Sequence, residues 1–283
     1  MGWKAPKYVH TAQLMKMDGG SKRKLSKRKD PELALDFYNA EGYPVPSVLE
    51  YLMTLLNSNF EDWRLANPTA PMGDFQFTTK KMGNSGSLFD IDKLKDVSKN
   101  TISVMSADQV YDEVTAWAKD FDPQLYTLLT ADQQKAKAIF AIGRGGAKPR
   151  KDIAIWSEVK DYVAFFYEEL FTAASEYPEN VSTQDALDIL TQYRSLYSPA
   201  DDGETWFNKV RELGESLGFA AKPKDYKKNP DQYKGHVGDV SQVIRLAITG
   251  RTNSPDLCSV MQILGEEVCQ QRLAQAIELL SNR

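Results

Sequence analysis

The chain has 283 residues, a formal net charge of −4, 42% hydrophobic residues and 26% charged residues. That is ordinary for a globular protein with a substantial core, in one large or two to three small domains. No apolar run approaches the roughly 20 residues needed to cross a bilayer, and the start, Met1 to Lys7, lacks the apolar stretch of a secretory signal. Two cysteines and two histidines exclude a disulfide framework and argue against a metal site built by the chain itself. The expected compartment is therefore a reducing cytoplasm.

Charge is unevenly placed. Lys4, Lys7, Lys16, Lys22, Arg23, Lys24, Lys27, Arg28 and Lys29 crowd the first thirty residues against Asp18 and Asp30. Further basic islands are Arg144, Lys148, Arg150 and Lys151, then Lys222, Lys224, Lys227, Lys228 and Lys234. Islands on an acidic body suit a long anionic ligand touched at several points, although such runs are often only solvated surface.

In chain order, Gly19-Gly20 marks a turn, and the basic run from Ser21 to Lys29 is expected to be a mobile loop. Asp30 should cap a helix with Pro31 at its first position and Gly42 past its end; Leu33, Phe37 and Tyr38 face inward. Ser47 with Glu50 forms the pattern of a capping box before Val48, Leu52, Leu55 and Leu56. Residues 67–87 are a loop with room for one short strand. Asp90 caps a short helix, Ser106 and Gln109 open another, and Thr130 with Gln133 a third, running to Gly143. Gly143 to Arg150 has the glycines of a phosphate loop without a preceding strand or a GK[ST] ending, so it is a helix stop and linker.

A long amphipathic helix is then expected over Trp156, Val159, Val163, Phe166 and Leu170, and another through Leu187, Leu190, Tyr193 and Tyr197. Ser198 to Gly203 breaks the pattern and is expected to separate subdomains. Trp206 to Leu217 is helical, Ala221 to Gly235 a basic loop carrying tyrosines, and three amphipathic helices close the chain. The fold class is mainly α.

Lys24-Leu25-Ser26-Lys27-Arg28 resembles the second signature loop of class I aminoacyl-tRNA synthetases, in the form carried by glutamyl-tRNA synthetases. The resemblance continues through Leu88-Phe89-Asp90-Ile91-Asp92-Lys93-Leu94, then Val97 to Asn100, Ile244 to Arg251, Ser254-Pro255-Asp256-Leu257 and Leu264 to Glu267, in order along nearly the whole chain. It implies that Lys27 is the catalytic lysine meeting the phosphates of ATP, with Lys24 and Ser26 as further ATP contacts. It implies an ATP and Mg2+ requirement only in a full-length enzyme, because the His-containing ATP motif and strand–helix alternation of a nucleotide fold are missing.

The resemblance further implies a bacterial-type arrangement: the tail of a catalytic domain (1–30), a helical stem-contact region (31–121), and a two-subdomain all-α anticodon-binding cage (122–200 and 201–283). Arg245, Ser254, Pro255 and Leu257 would contact the tRNA anticodon. Lys148, Arg150 and Lys151 would touch tRNA backbone or anticodon, although that segment departs from the family's commoner arginine pattern. The expected partner is tRNA(Glu), with tRNA(Gln) left open. Glutamate and ATP would be met through the absent half; the chain alone would be monomeric and catalytically silent. Alternatives are a helical protein–protein adaptor and, ranked lower for want of strand-rich segments, a glutaminyl-tRNA synthetase fragment.

Overall fold

A computed structural model describes residues 2–6, 8–83 and 85–282. Met1, Asn84, Arg283 and one member of the first basic island, Lys7, lie outside the described residues. The chain folds as two compact units: one from 1–131 with 144–160, the other from 132–143 with 161–283. The break at Ser198 to Gly203 therefore falls inside the second unit.

In the first unit, β1 (Leu14–Asp18) and β2 (Ser21–Lys24) form an antiparallel hairpin registered Met15 to Lys24 and Asp18 to Ser21. Gly19 and Gly20 both have positive φ, 54° and 86°, the conformation a two-residue turn needs to follow the twist of its strands. The expected mobile loop is thus half strand: backbone pairing on β1 orders the run from Ser21 to Lys24. Helices α1 (Leu35–Glu41), α2 (Val45–Leu56) and α3 (Phe60–Ala66) follow. Then β3 (Ser87–Leu88) adds to β1 in parallel, and α4 (Ile91–Ser103), α5 (Ala107–Phe121) and α6 (Pro123–Ala131) complete the run.

Leu25, Tyr43, Tyr51, Phe89, Leu94 and Ile155 form the core here, with Leu14, Leu33, Phe37 and Tyr38 packed on it. Gly42 closes α1 in the left-handed region, φ 80°, where a Cβ would come within 2.7 Å of Trp156 Cβ. Only glycine supplies both the dihedral and the space.

The caps on α4 and α5 form as expected: Asp90 accepts from Asp92 and Lys93 N–H, and Ser106 with Gln109 makes a reciprocal capping box. Two others differ. Ser47 is buried inside α2, which already starts at Val45 because Pro44 and Pro46 pre-set the first turn, and Glu50 pairs instead with Arg64 at 2.6 Å. Asp30 precedes a 3-10 turn without capping it, its carboxylate being engaged elsewhere.

The second unit begins with α7 (Gln133–Ala141), capped by Asp132 and not by Thr130, which lies in α6. The chain then returns to the first unit before α8 (Val159–Val163). The long helix expected from Trp156 to Leu170 does not form; a 3-10 turn flanks α8 on each side. The reason lies in the burial of adjacent residues: Val163, Ala164, Phe165, Phe166 and Tyr167 are all interior, which one face of an α-helix cannot achieve.

Helices α9 (Thr183–Leu196) and α10 (Gly203–Ser216) follow, then α11 (Pro223–Lys228) inside the segment expected to be a loop. Helices α12 (Val237–Thr249), α13 (Leu257–Leu264) and α14 (Glu266–Ser281) close the chain. α9 packs on α12 and α14, and α10 on α9 and α12. Ile189, Leu190, Tyr193, Val240, Ile244, Val260 and Leu273 are interior. Inside that core the Trp206 indole N–H donates to Tyr193 Oη at 2.7 Å, and the Tyr193 hydroxyl donates to Met261 Sδ, so the polar atoms of both rings are satisfied.

Candidate functional site

Leu25 is 3% exposed and holds the basic motif to the core of the first unit, while Lys24, Lys27, Arg28 and Lys29 are exposed around it. The backbone N–H of Leu25 donates to Leu14 O at 3.0 Å, continuing the hairpin. The chain then turns tightly, with Lys29 and Asp30 N–H donating to Ser26 O at 3.0 and 2.9 Å.

The turn is clasped by a pair that sequence reasoning missed. The Arg23 guanidinium donates to both Asp30 carboxylate oxygens at 2.6 and 2.8 Å and to Asp18 Oδ2 at 2.6 Å, while Ser26 N–H donates to Asp30 Oδ2 at 2.7 Å. Nothing local in the sequence marks a partnership seven residues apart. The Arg23 guanidinium and the Ser26 amide hold the Asp30 carboxyl well below the usual carboxylate range, and Asp30 in turn holds Arg23 above its ordinary value.

A depressed carboxyl stabilises the fold above the unfolded-state value of about 3.9 and loses that contribution as pH falls through the folded value. Asp30→Asn should therefore lower the urea midpoint near neutrality. The gap from wild type should close between about pH 5 and pH 1. A gap that persists undiminished in acid would show that Asp30 acts through neutral hydrogen bonding alone.

With Arg23 neutralised by its aspartates, Lys24 and Lys27 keep their charge on the surface with no acceptor among the described residues. Ser26 lies between them in the chain, its hydroxyl accepting from Arg28 N–H at 3.4 Å. Two ammonium groups and a hydroxyl on one short turn form a donor set suited to a polyanion.

In the second unit the sequence-predicted residues Arg245, Ser254 and Pro255 come together at the C-terminal end of α12. Gly250 ends that helix with φ 70°, and residues 250–256 loop back along it to α13. Arg245 Nη1 donates to Ser254 O at 3.3 Å and Pro255 O at 3.2 Å, and also to Ser254 Oγ. Gln242 fixes Thr252 O at 2.9 Å, and Arg251 makes a bidentate pair with Asp161 at 2.7 Å for both bonds.

Leu257 is different from the other three. It is 1% exposed, a core leucine of α13, so its side chain has no surface to offer a base. Beside the loop lies a cleft of about 550 Å3 lined by Ala174, Ser175, Glu176, Leu246, Gly250, Arg251, Thr252 and Asn253.

Arg272 on α14 is 2% exposed and braces the end of α12. Its Nη1 donates to Phe165 O at 2.8 Å and Ile248 O at 2.7 Å, its Nη2 reaches Glu168, and its guanidinium lies 3.6 Å from the Phe171 ring centroid. A lone arginine in phase with Cys269, Leu273 and Ala276 was the available signal. Lys148 and Lys151 are exposed in the first unit, and Arg150 spends two donors on Asp152 at 2.6 and 2.9 Å.

Both cysteines are free and buried, and burial pushes each thiol up to about 11, away from thiolate chemistry at neutral pH. Among the described residues no group of histidine, cysteine and carboxylate side chains could hold a metal ion, and no helix is long and apolar enough to cross a membrane.

Residues 109–277 match the family model described as an anticodon binding domain. The chain is 48% identical over 277 residues to a glutamate–tRNA ligase of Acetivibrio thermocellus, covering 98% of this chain and 51% of that protein. With a glutamate–tRNA ligase of Clostridium beijerinckii the identity is 46% over 284 residues, covering 99% and 51%. The chain thus spans about half the length of the curated relatives it matches. In fold it is similar to the crystal structure of a glutamate tRNA ligase from Elizabethkingia meningosepticum, with a TM-score of 0.64 at 20% identity over 98% of this chain and 52% of the other. The matched residues include all of α12 and α13, the intervening loop and its arginine clamp, and the chain belongs to the anticodon-binding-domain family.

Proposed function

We propose that this chain is the tRNA-binding part of a glutamate–tRNA ligase. The observation that carries this reading is the Arg245–Ser254–Pro255 clamp, set within the family match over residues 109–277 and a similarity to glutamate–tRNA ligases along 98% of the chain. Unpaired loop bases can be splayed, stacked and hydrogen-bonded on their edges, and a loop pinned at several points on a helix end offers fixed groups for this. On this reading residues 31–121 contact the tRNA stem, and 122–200 with 201–283 form the anticodon-binding part. Lys148, Arg150 and Lys151 are ancillary contacts.

The turn at Lys24, Ser26 and Lys27 serves the other half of a full-length cytoplasmic enzyme. There glutamate is activated with ATP and Mg2+, and Lys27 faces the phosphates as charge develops on the leaving group. The chain alone is a monomer that binds tRNA and forms no aminoacyl-adenylate.

The test is competition binding of tRNA(Glu), tRNA(Gln) and an anticodon-swapped tRNA(Glu) to this chain, paired with a pyrophosphate-exchange assay. Preference for tRNA(Glu) or tRNA(Gln) over the swapped transcript, without exchange activity, is the expected result. Equal affinity for all three would overturn the anticodon reading, and exchange by the chain alone would overturn its silence.

A further inference from the structure

The segment from Ala221 to Gly235 holds five lysines against two aspartates, and the anticodon clamp does not use it. It is a closed, built loop. Its ends are joined by a parallel bridge between Ala220 and His236, with Ala220 N–H donating to Gly235 O and Val237 N–H to Ala220 O, both at 2.9 Å. Lys234 N–H donates to Gly218 O at 3.0 Å, its ammonium pairs with Asp185 at 2.5 Å, and the Tyr226 ring stands edge-on to His236, 5.8 Å between centroids.

On that frame Lys222, Lys224, Lys227 and Lys228 are all exposed, and none has an ion-pair or hydrogen-bond acceptor for its ammonium among the described residues. Several other cations of this unit are engaged: Lys209 with Asp201, Arg251 with Asp161, Arg272 with Glu168, and Lys135 with Phe166 O. Lys224 lies three and four residues before Lys227 and Lys228 on α11, so like charges face each other on a six-residue helix. Such pairs destabilise a helix unless an anion sits between them.

We infer that this loop is a second RNA contact, which takes the phosphodiester backbone beside the anticodon and carries no sequence information. The loop contains no arginine, the side chain whose planar fork reads base edges with two donors; lysines act as point charges suited to phosphate. It feeds directly into α12, and Arg245 lies eight residues beyond Val237, about 12 Å along the axis at 1.5 Å per residue. The inference rests on the tRNA-binding reading above.

The experiment uses this chain with all four lysines changed to alanine, and a second variant with all four changed to arginine. Affinity for tRNA(Glu) and for its anticodon-swapped transcript is measured by fluorescence anisotropy between about 50 and 200 mM salt. Loss of each phosphate contact should reduce the slope of log affinity against log salt by about 0.7–0.9, and at least two contacts should be lost. The alanine variant should weaken both transcripts by the same factor and leave their ratio unchanged; the arginine variant should keep the wild-type slope.

A wild-type slope in the alanine variant overturns the inference while leaving the clamp standing, and so does a loss confined to tRNA(Glu). Failure of the wild-type chain to bind any transcript would overturn the underlying reading instead. Because all four side chains are exposed, an unchanged melting curve should confirm that each variant is folded.

Discussion

Gly250→Ala is expected to destabilise the second unit by about 2–5 kcal/mol, and to abolish anticodon preference in whatever fraction remains folded. Two costs add. Gly250 sits at φ 70°, where a Cβ-bearing residue loses about 1–2 kcal/mol. A Cβ there would also run into the backbone carbonyl oxygen of Thr172, which cannot rotate away as the end of a long side chain can. Gly218→Ala is the control. It shares the positive φ, 89°, but its nearest neighbours are Lys234 side-chain carbons at 3.7 Å or beyond, an ordinary contact. It should cost only the dihedral term of about 1–2 kcal/mol. Urea midpoints measure both variants. Equal losses would show that Thr172 yields and that the cleft wall is softer than its packing suggests.

Helices with a polar cap and a regular apolar stripe are legible: Ser106 with Gln109, Asp90, and the three closing helices all form in place. The pattern fails where burial is not one-sided. Val163 to Tyr167 are interior on every side, so periodicity predicts one long helix where the chain makes short turns around α8.

The candidate functional groups divide in the same way. Ser26, Lys27, Arg245 and Ser254 are marked by motif, but the groups that hold their segments in place are tertiary. The Asp30–Arg23 clasp, the Arg251–Asp161 pair and the Arg272 brace join residues 7, 90 and 104–107 positions apart. No local signal encodes such distances. Leu257 is the reverse case: the motif marks it, yet its place on the apolar stripe with Val260 and Leu264 decides its fate as core.

Arg245→Ala is expected to weaken cognate tRNA binding by roughly 1–3 kcal/mol, while leaving an anticodon-swapped transcript almost unaffected. The guanidinium is half-buried, and its Nη1 holds three acceptors of the 254–255 segment. Removing it releases the loop that the proposed site presents, and leaves the buried Ser254 short of a donor at a stability cost of about 1–2 kcal/mol. Arg245→Lys should not restore the preference, because a compact, strongly hydrated ammonium on a flexible stem does not set its donors as the planar guanidinium does. The binding and stability effects separate by measuring affinity well below the melting transition, where the variant is fully folded. If both transcripts then lose affinity equally, Arg245 supports a backbone contact and the reading of bases passes to the groups lining the neighbouring cleft, Asn253 and Glu176 first among them.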